Sequence, residues 1–359
     1  MKDKECAYKS VFLGPFVSLR PSLRAEARII LIMLSVQTLM LFVTRSYSSL
    51  VIILASLLAS YAADFLSGRR NLRGSFAVIS SALRGILTGF MIPAGFPPAA
   101  VFFVALAVFL VSGYMLGGSA NSWAAPPALT AAICWVIGMR FFPEFDARVF
   151  TLQSRNIALS LIQDGTFPMN SFDVAVTNFL NRRLFSLFGI SIPEGYFSLF
   201  WDTRSAVPAF RFNLLTLLSS VILLGFNILN PIIPSVFILT YALLVKIAAP
   251  FFYGGPAFQG DIFLALLSSG TLFGAFFLLQ WHGTTPFTDG GRWLYGILAG
   301  AAAFLILGIG LSPSGFAFML LIMSVISLFI QNVERHFVDD YTNSVLMPRV
   351  RLVREGKDA

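Results

Sequence analysis

Apolar runs long enough to cross a lipid bilayer recur along most of this sequence, and they constrain the fold more than any motif. A hydrocarbon core about 30 Å thick takes about 20 apolar residues per helical crossing. The backbone finds no water there, so each crossing must satisfy its own hydrogen bonds. Hydrophobic residues make up 57% of the 359, and charged residues only 12%. A soluble domain carries roughly 25% charged residues. Mean hydropathy is +0.80. The chain therefore reads as an all-α polytopic membrane protein.

Candidate spans fall at approximately 29–44, 49–66, 76–93, 98–116, 124–142, 212–229, 232–251, 262–280, 293–311 and 314–332. About ten transmembrane helices result, in two halves of about five. The expected organisation is a head at 1–28, a first half at 29–142, a long loop at 143–211, a second half at 212–333 and a tail at 334–359. An odd number of spans per half reverses the second half in the membrane, which suits an inverted repeat.

The net charge is +8. In a soluble protein it would suggest nucleic acid, but no basic-aromatic module accompanies it. Lys and Arg instead mark the loops retained in the cytoplasm. The head carries Lys2, Lys4, Lys9, Arg20, Arg24 and Arg28, and the tail Arg335, Arg349, Arg351, Arg354 and Lys357. Ten spans put both termini on one side, together with the Arg69, Arg70 and Arg73 loop. Cytoplasmic termini leave 143–211 outside. The expected location is the inner membrane of a bacterium. Residues 1–24 show no cleavable signal pattern, and the first apolar run reads as a retained anchor. Val11–Leu13 with Phe16 and Val17 suggests a short surface-lying piece.

Cys6 and Cys134 cannot ligate an iron–sulfur cluster alone, and Cys134 reads as a buried small hydrophobe. His282 and His336 are too few and too separated for a metal site, so none is expected.

The long loop holds Asp164, Asp173, Thr177, Asn178, Arg182, Arg183, Glu194, Asp202 and Arg204. Within it Phe172, Val176, Phe179, Leu180, Leu184 and Leu187 recur near helical spacing, with Asp173, Thr177, Asn181 and Arg183 between them. This predicts an amphipathic helix on the bundle mouth or the membrane interface.

Gly85 and Gly89 in the third span, Pro126 and Pro127 at the fifth, and Gly270 and Gly274 in the eighth interrupt the apolar runs. Close helix packing explains small residues in lipid. Broken helices around a central site, as in inverted-repeat transporters, explain them as well. Charges inside spans are expensive and need a reason. Arg84 lies in the middle of span three, where an ion pair, a bound anion and an ion-path role are all open. Lys246 lies within span seven and reads as snorkelling; Asp64, Arg140 and Asp261 lie near span ends, within reach of snorkelling or solvent, and Asp261 is a second ion-path candidate.

No phosphate-binding lysine loop, dinucleotide glycine fingerprint or nucleophile elbow is present. The run from Gly260-Asp261 through Gly270 to Phe277, then Thr284-Thr285-Pro286 and Gly291-Arg292-Trp293-Leu294-Tyr295-Gly296, resembles the RnfD/NqrB family. Ser81 through Pro93, Gly117-Gly118 through Ala128, Asn332-Val333 and Pro348-Arg349-Val350 are similar to further landmarks, so the resemblance spans most of the chain. The family reads Asn-Pro-Ala where this chain has Ala125-Pro126-Pro127-Ala128, and Asp-Pro where it has Trp281-His282-Gly283.

The resemblance, closer to RnfD, implies a membrane subunit of the Rnf complex, which couples electron flow between ferredoxin and NAD to Na⁺ or H⁺ movement. It implies FMN joined through phosphate to a threonine in the loop between spans five and six, and partners bearing iron–sulfur centres and flavins. A second flavin pocket would sit among the broken helices. The attachment pattern Ser-Gly-Ala-Thr is matched best by Val174-Ala175-Val176-Thr177, and next by Thr166 and Ser171. Arg182 and Arg183 would then hold the flavin phosphate or the reduced ring. The rival reading is a flavin-free channel or secondary transporter for a small solute, with the same architecture.

Overall fold

A computed structural model describes residues 21–67, 75–114, 124–142, 170–189, 191–202, 205–253, 258, 260–281, 283–308, 314–341 and 344. The described residues form helices and connecting turns, with no strand among them. The first half comprises α1 (Leu23–Val43), α2 (Tyr47–Leu66), α3 (Ser75–Met91), α4 (Pro98–Tyr114) and α5 (Pro126–Gly138). The insert contributes α6 (Ser171–Arg183) and the short α7 (Tyr196–Phe200). The second half comprises α8 (Asn213–Gly225), α9 (Ile232–Ile247), α10 (Ala249–Tyr253), α11 (Ile262–Ser268), α12 (Thr271–Phe277), α13 (Asp289–Leu307) and α14 (Gly315–Tyr341).

Leu23–Val43, Tyr47–Leu66, Asp289–Leu307 and Gly315–Phe337 are long and apolar enough to cross a bilayer. Five shorter apolar helices lie at the other predicted spans, except the eighth. That span is two helices of seven residues each, α11 and α12. Gly270 makes the break, with φ of +66°. An L side chain is strained in that conformation, and glycine is not. Any Cβ there would also lie 2.2 Å from the Phe210 ring. Of the glycines and prolines singled out above, only Gly270 therefore breaks a helix. Gly274 lies inside α12 against the Phe316 ring. Pro126 and Pro127 open α5, where a missing N–H costs nothing. Helix α3 runs unbroken through Gly85, whose Cβ would meet the Leu57 Cα at 2.6 Å. Gly85 is there so that α2 and α3 can touch.

The packing order repeats between halves. Helix α2 packs on α3 and α4 as α9 packs on the α11–α12 pair and α13. Likewise α1–α3 corresponds to α8–α12, and α4–α5 to α13–α14. The halves meet through like members: α1 against α8, α5 against α14, and Phe90 of α3 stacked on Phe273 of α12 at 5.5 Å. Polar residues of α8 turn inward (Asn213, Thr216, Ser219, Ser220), while Leu214, Leu218 and Val221 face outward. That is the polarity of a helix with lipid outside and protein inside.

The insert packs against one end of the bundle. Ala94, between α3 and α4, donates its N–H to the Ala206 carbonyl at 2.8 Å. Arg211 donates to Ser46, between α1 and α2. Tyr196 donates to Asp261, ahead of α11. Helices alternate in direction, so all three connections belong to the same end. Phe210, Leu199 and Tyr196 join the same apolar core as Phe273 and Leu264.

Candidate functional site

Within the insert, a buried carboxylate joins its two helices. Asp173 is in the first turn of α6 and fully buried. It accepts from Gly195 N–H at 2.7 Å, Ser198 N–H at 2.6 Å, Ser198 Oγ at 2.8 Å and Thr177 Oγ1 at 3.0 Å. Four donors, two of them backbone amides at the head of α7, satisfy a buried charge that would otherwise be costly. Asn170 and Asn181 extend the seam: Asn170 Nδ2 donates to Trp201 O, and Asn181 exchanges bonds with the backbone of Ile192.

Thr177 belongs to this seam, 1% exposed, with its hydroxyl given to Asp173. A phosphoester needs a hydroxyl that an attaching enzyme reaches, and this one is sealed between α6 and α7. Arg182 and Arg183 are exposed in the last turn, five and six residues on from Thr177. At about 100° per residue they point away from it. The residues present do not fit a flavin held at Thr177 by these two arginines. Ser171 is exposed at the start of α6, and Thr166 lies outside the described residues.

The predicted helix is present: of the two expected seats, bundle mouth or membrane interface, it buries Asp173 and Thr177 toward the protein and leaves Phe172, Phe179, Leu184 and Leu187 exposed. Hydrogen-bonded polar contacts to α7 decide the orientation.

Asp261 caps α11, accepting from Leu264 N–H at 3.1 Å, and is half-buried under the Tyr196 hydroxyl. It ties the insert to the broken span at the mouth of the bundle. Below it, the break is well satisfied. Asn213 Nδ2 donates to Leu267 O at 2.7 Å and to Leu199 O at 2.9 Å. Ser269 donates to Ala265 O at 3.0 Å and bonds with Thr271. Irregular backbone at membrane depth persists only with such partners. A cavity of about 20 Å³ lies beside the break, lined by Gly270, Phe273, Phe316 and Ala131 among others. It has room for a group the size of one water. A second flavin does not fit there.

Arg84 is 1% exposed and pairs with Asp64 of α2 at 2.8 Å. Ser81 also donates to that carboxylate, and the guanidinium lies 5.4 Å from the Phe109 ring centre. Asp64 is buried, not snorkelling: the buried Arg84 needs an opposite charge beside it, since an unpaired buried charge is the costlier state. Arg84 and Asp261 belong to separate clusters, one at the α2–α3 contact and one at the insert. Lys246 is exposed in the last turn of α9, as expected of a snorkelling lysine.

Three contributors were not legible beforehand. Arg211, 5% exposed, donates through Nε to Ser205 O at 2.7 Å. Burial lowers its pKa from the usual guanidinium value, and Asp202 works in the opposite sense. Asn213 is the second. The third is Glu334 of α14, which accepts from Phe287 N–H at 2.8 Å and Thr288 N–H at 2.9 Å. It anchors the turn that follows Thr284-Thr285-Pro286 and opens α13; His282 lies outside the described residues. In the sequence Arg211 and Glu334 show only as charged residues close to a span boundary, and Asn213 only as a polar residue at the start of span six. Among the described residues no three His, Cys, Asp or Glu side chains gather as a metal site.

The NQR2, RnfD, RnfE family model matches residues 10–338. The chain is also 35% identical over 144 residues to proteins from Salmonella paratyphi B, Salmonella newport and Salmonella heidelberg, each named as a component of an ion-translocating oxidoreductase complex. The match takes in 40% of this chain and 37% of each relative's length.

Proposed function

From the premise that this chain belongs to the NQR2, RnfD, RnfE family, we propose that it is the RnfD-type membrane component of an ion-translocating oxidoreductase complex. The observation that carries this reading is the family match over nearly the whole helical bundle, including its broken span. The complex in this reading moves electrons between ferredoxin and NAD, drives Na⁺ or H⁺ across a bacterial inner membrane, and includes iron–sulfur and flavin-bearing subunits. Both termini face the cytoplasm and the insert faces outward.

The chain's own part is to hold a discontinuous helix at the contact between the two halves. Asn213, Ser269 and Thr271 fix the broken backbone, and Tyr196 with Asp261 ties its outer end to the insert. The cavity at Gly270 is the proposed waist of the ion path. Covalent FMN remains part of this reading, on a hydroxyl other than Thr177, with Ser171 and Thr166 as the candidates.

A tagged copy purified from native membranes tests the proposal. Co-purification of iron–sulfur and flavin-bearing subunits in constant ratio is the expected result. A chain that purifies alone, without flavin fluorescence, and transports a solute would refute it.

A further inference from the structure

Helix α6 buries Asp173 and Thr177 toward the protein and leaves Phe172 and Phe179 exposed. Phe179 is 62% exposed, and in the turn that follows Leu187 is 77% and Phe188 70% exposed. Outside a membrane, such a surface needs an apolar neighbour. Its position says which one. Phe172 of α6 and Leu214 of α8 line one apolar groove, closed by Phe197, Phe200 and Trp201. Leu214 is the first residue of the outward row Leu214, Leu218, Val221. Phe172 and Leu214 thus bring the exposed apolar residues of α6 alongside the outward row of α8. Arg182 and Arg183 are exposed beside it. Aromatic and aliphatic side chains flanked by arginines are the composition of a helix seated at a bilayer surface, its cations at anionic headgroups.

We propose that α6 and the Phe185–Phe188 turn seat in the lipid leaflet next to the outer end of α8, with Arg182 and Arg183 at anionic headgroups. The Asp173 seam holds the helix from the protein side, so the insert is anchored on two sides. This depends on the membrane-spanning bundle alone and not on the redox role.

The test uses the full-length chain with Cys6→Ser and Leu187→Cys, labelled with bimane, in nanodiscs of phosphatidylcholine and phosphatidylglycerol. Cys134 is 0% exposed and stays unlabelled. Lipids with doxyl groups should quench the label at least about twofold more than aqueous iodide does. A label at Phe179→Cys reads the same face if the first variant fails to fold. Replacing Arg182 and Arg183 by Gln should reduce lipid quenching with phosphatidylglycerol present and leave it unchanged in phosphatidylcholine alone. Iodide quenching without doxyl quenching overturns the proposal and points to a protein partner on this face. Equal lipid quenching with and without the two arginines overturns their assignment to headgroups.

Discussion

Asp64→Asn leaves the Arg84 guanidinium buried beside a neutral amide. Breaking one side of a buried pair costs about 3–5 kcal/mol, whereas replacing both sides with apolar residues of similar volume is often neutral. Asp64→Asn and Arg84→Met should each lower the apparent Tm in detergent, and Asp64→Leu combined with Arg84→Met should recover most of the loss. Additive losses in the double variant would show that the pair is not a closed unit. At the insert, Asp173→Ala strands two amides, and each buried orphan costs about 1–3 kcal/mol. Limited proteolysis should then cut between Asn170 and Trp201 well before the bundle. Thr177→Ala removes a single donor and should cost about 1 kcal/mol while leaving flavin content unchanged. Loss of a flavin mass with Thr177→Ala would contradict the buried geometry. These pairings were not legible in the sequence, because nothing local links Asp64 to Arg84 or Asp173 to Ser198. Charge cost alone said that Arg84 needs a partner, and several partners remained open.

The helices themselves were largely legible, since lipid makes long apolar runs nearly unambiguous. The break in span eight was visible only as glycine. Gly85 and Gly270 look alike in sequence, yet one admits a neighbouring backbone and the other takes a left-handed turn. Gly270→Ala should be destabilised by about 1–2 kcal/mol from φ alone, with overpacking against Phe210 adding about 1–3 kcal/mol. Phe210→Leu in the same chain should recover the packing share only; full recovery would argue against the left-handed turn. Gly85→Ala should instead separate α2 from α3 without touching the break. For α6 the periodicity was right, and the sequence left its direction open between the bundle mouth and the membrane interface. An amphipathic pattern states that two faces differ, and in a protein bathed in lipid it does not state which face turns inward. The hydrogen bonds to Asp173 settle that, and they depend on residues more than 20 positions away.

For the whole molecule, the two-halved order followed from span count and loop length. The docking of the insert onto Ser46, Ala94 and Asp261 did not, because it needs three separate connections at one end. That end is proposed to be the outer one. With Cys6→Ser as background, Glu194→Cys should react with a membrane-impermeant maleimide in intact cells, and Lys357→Cys only after lysis. The reverse pattern would invert the topology. The family role is tested most directly by deleting the gene and measuring redox-driven ion uptake in inverted membrane vesicles. The account predicts loss of the gradient driven by ferredoxin–NAD electron flow, restored by the intact chain. A full gradient in the deletion strain would contradict it.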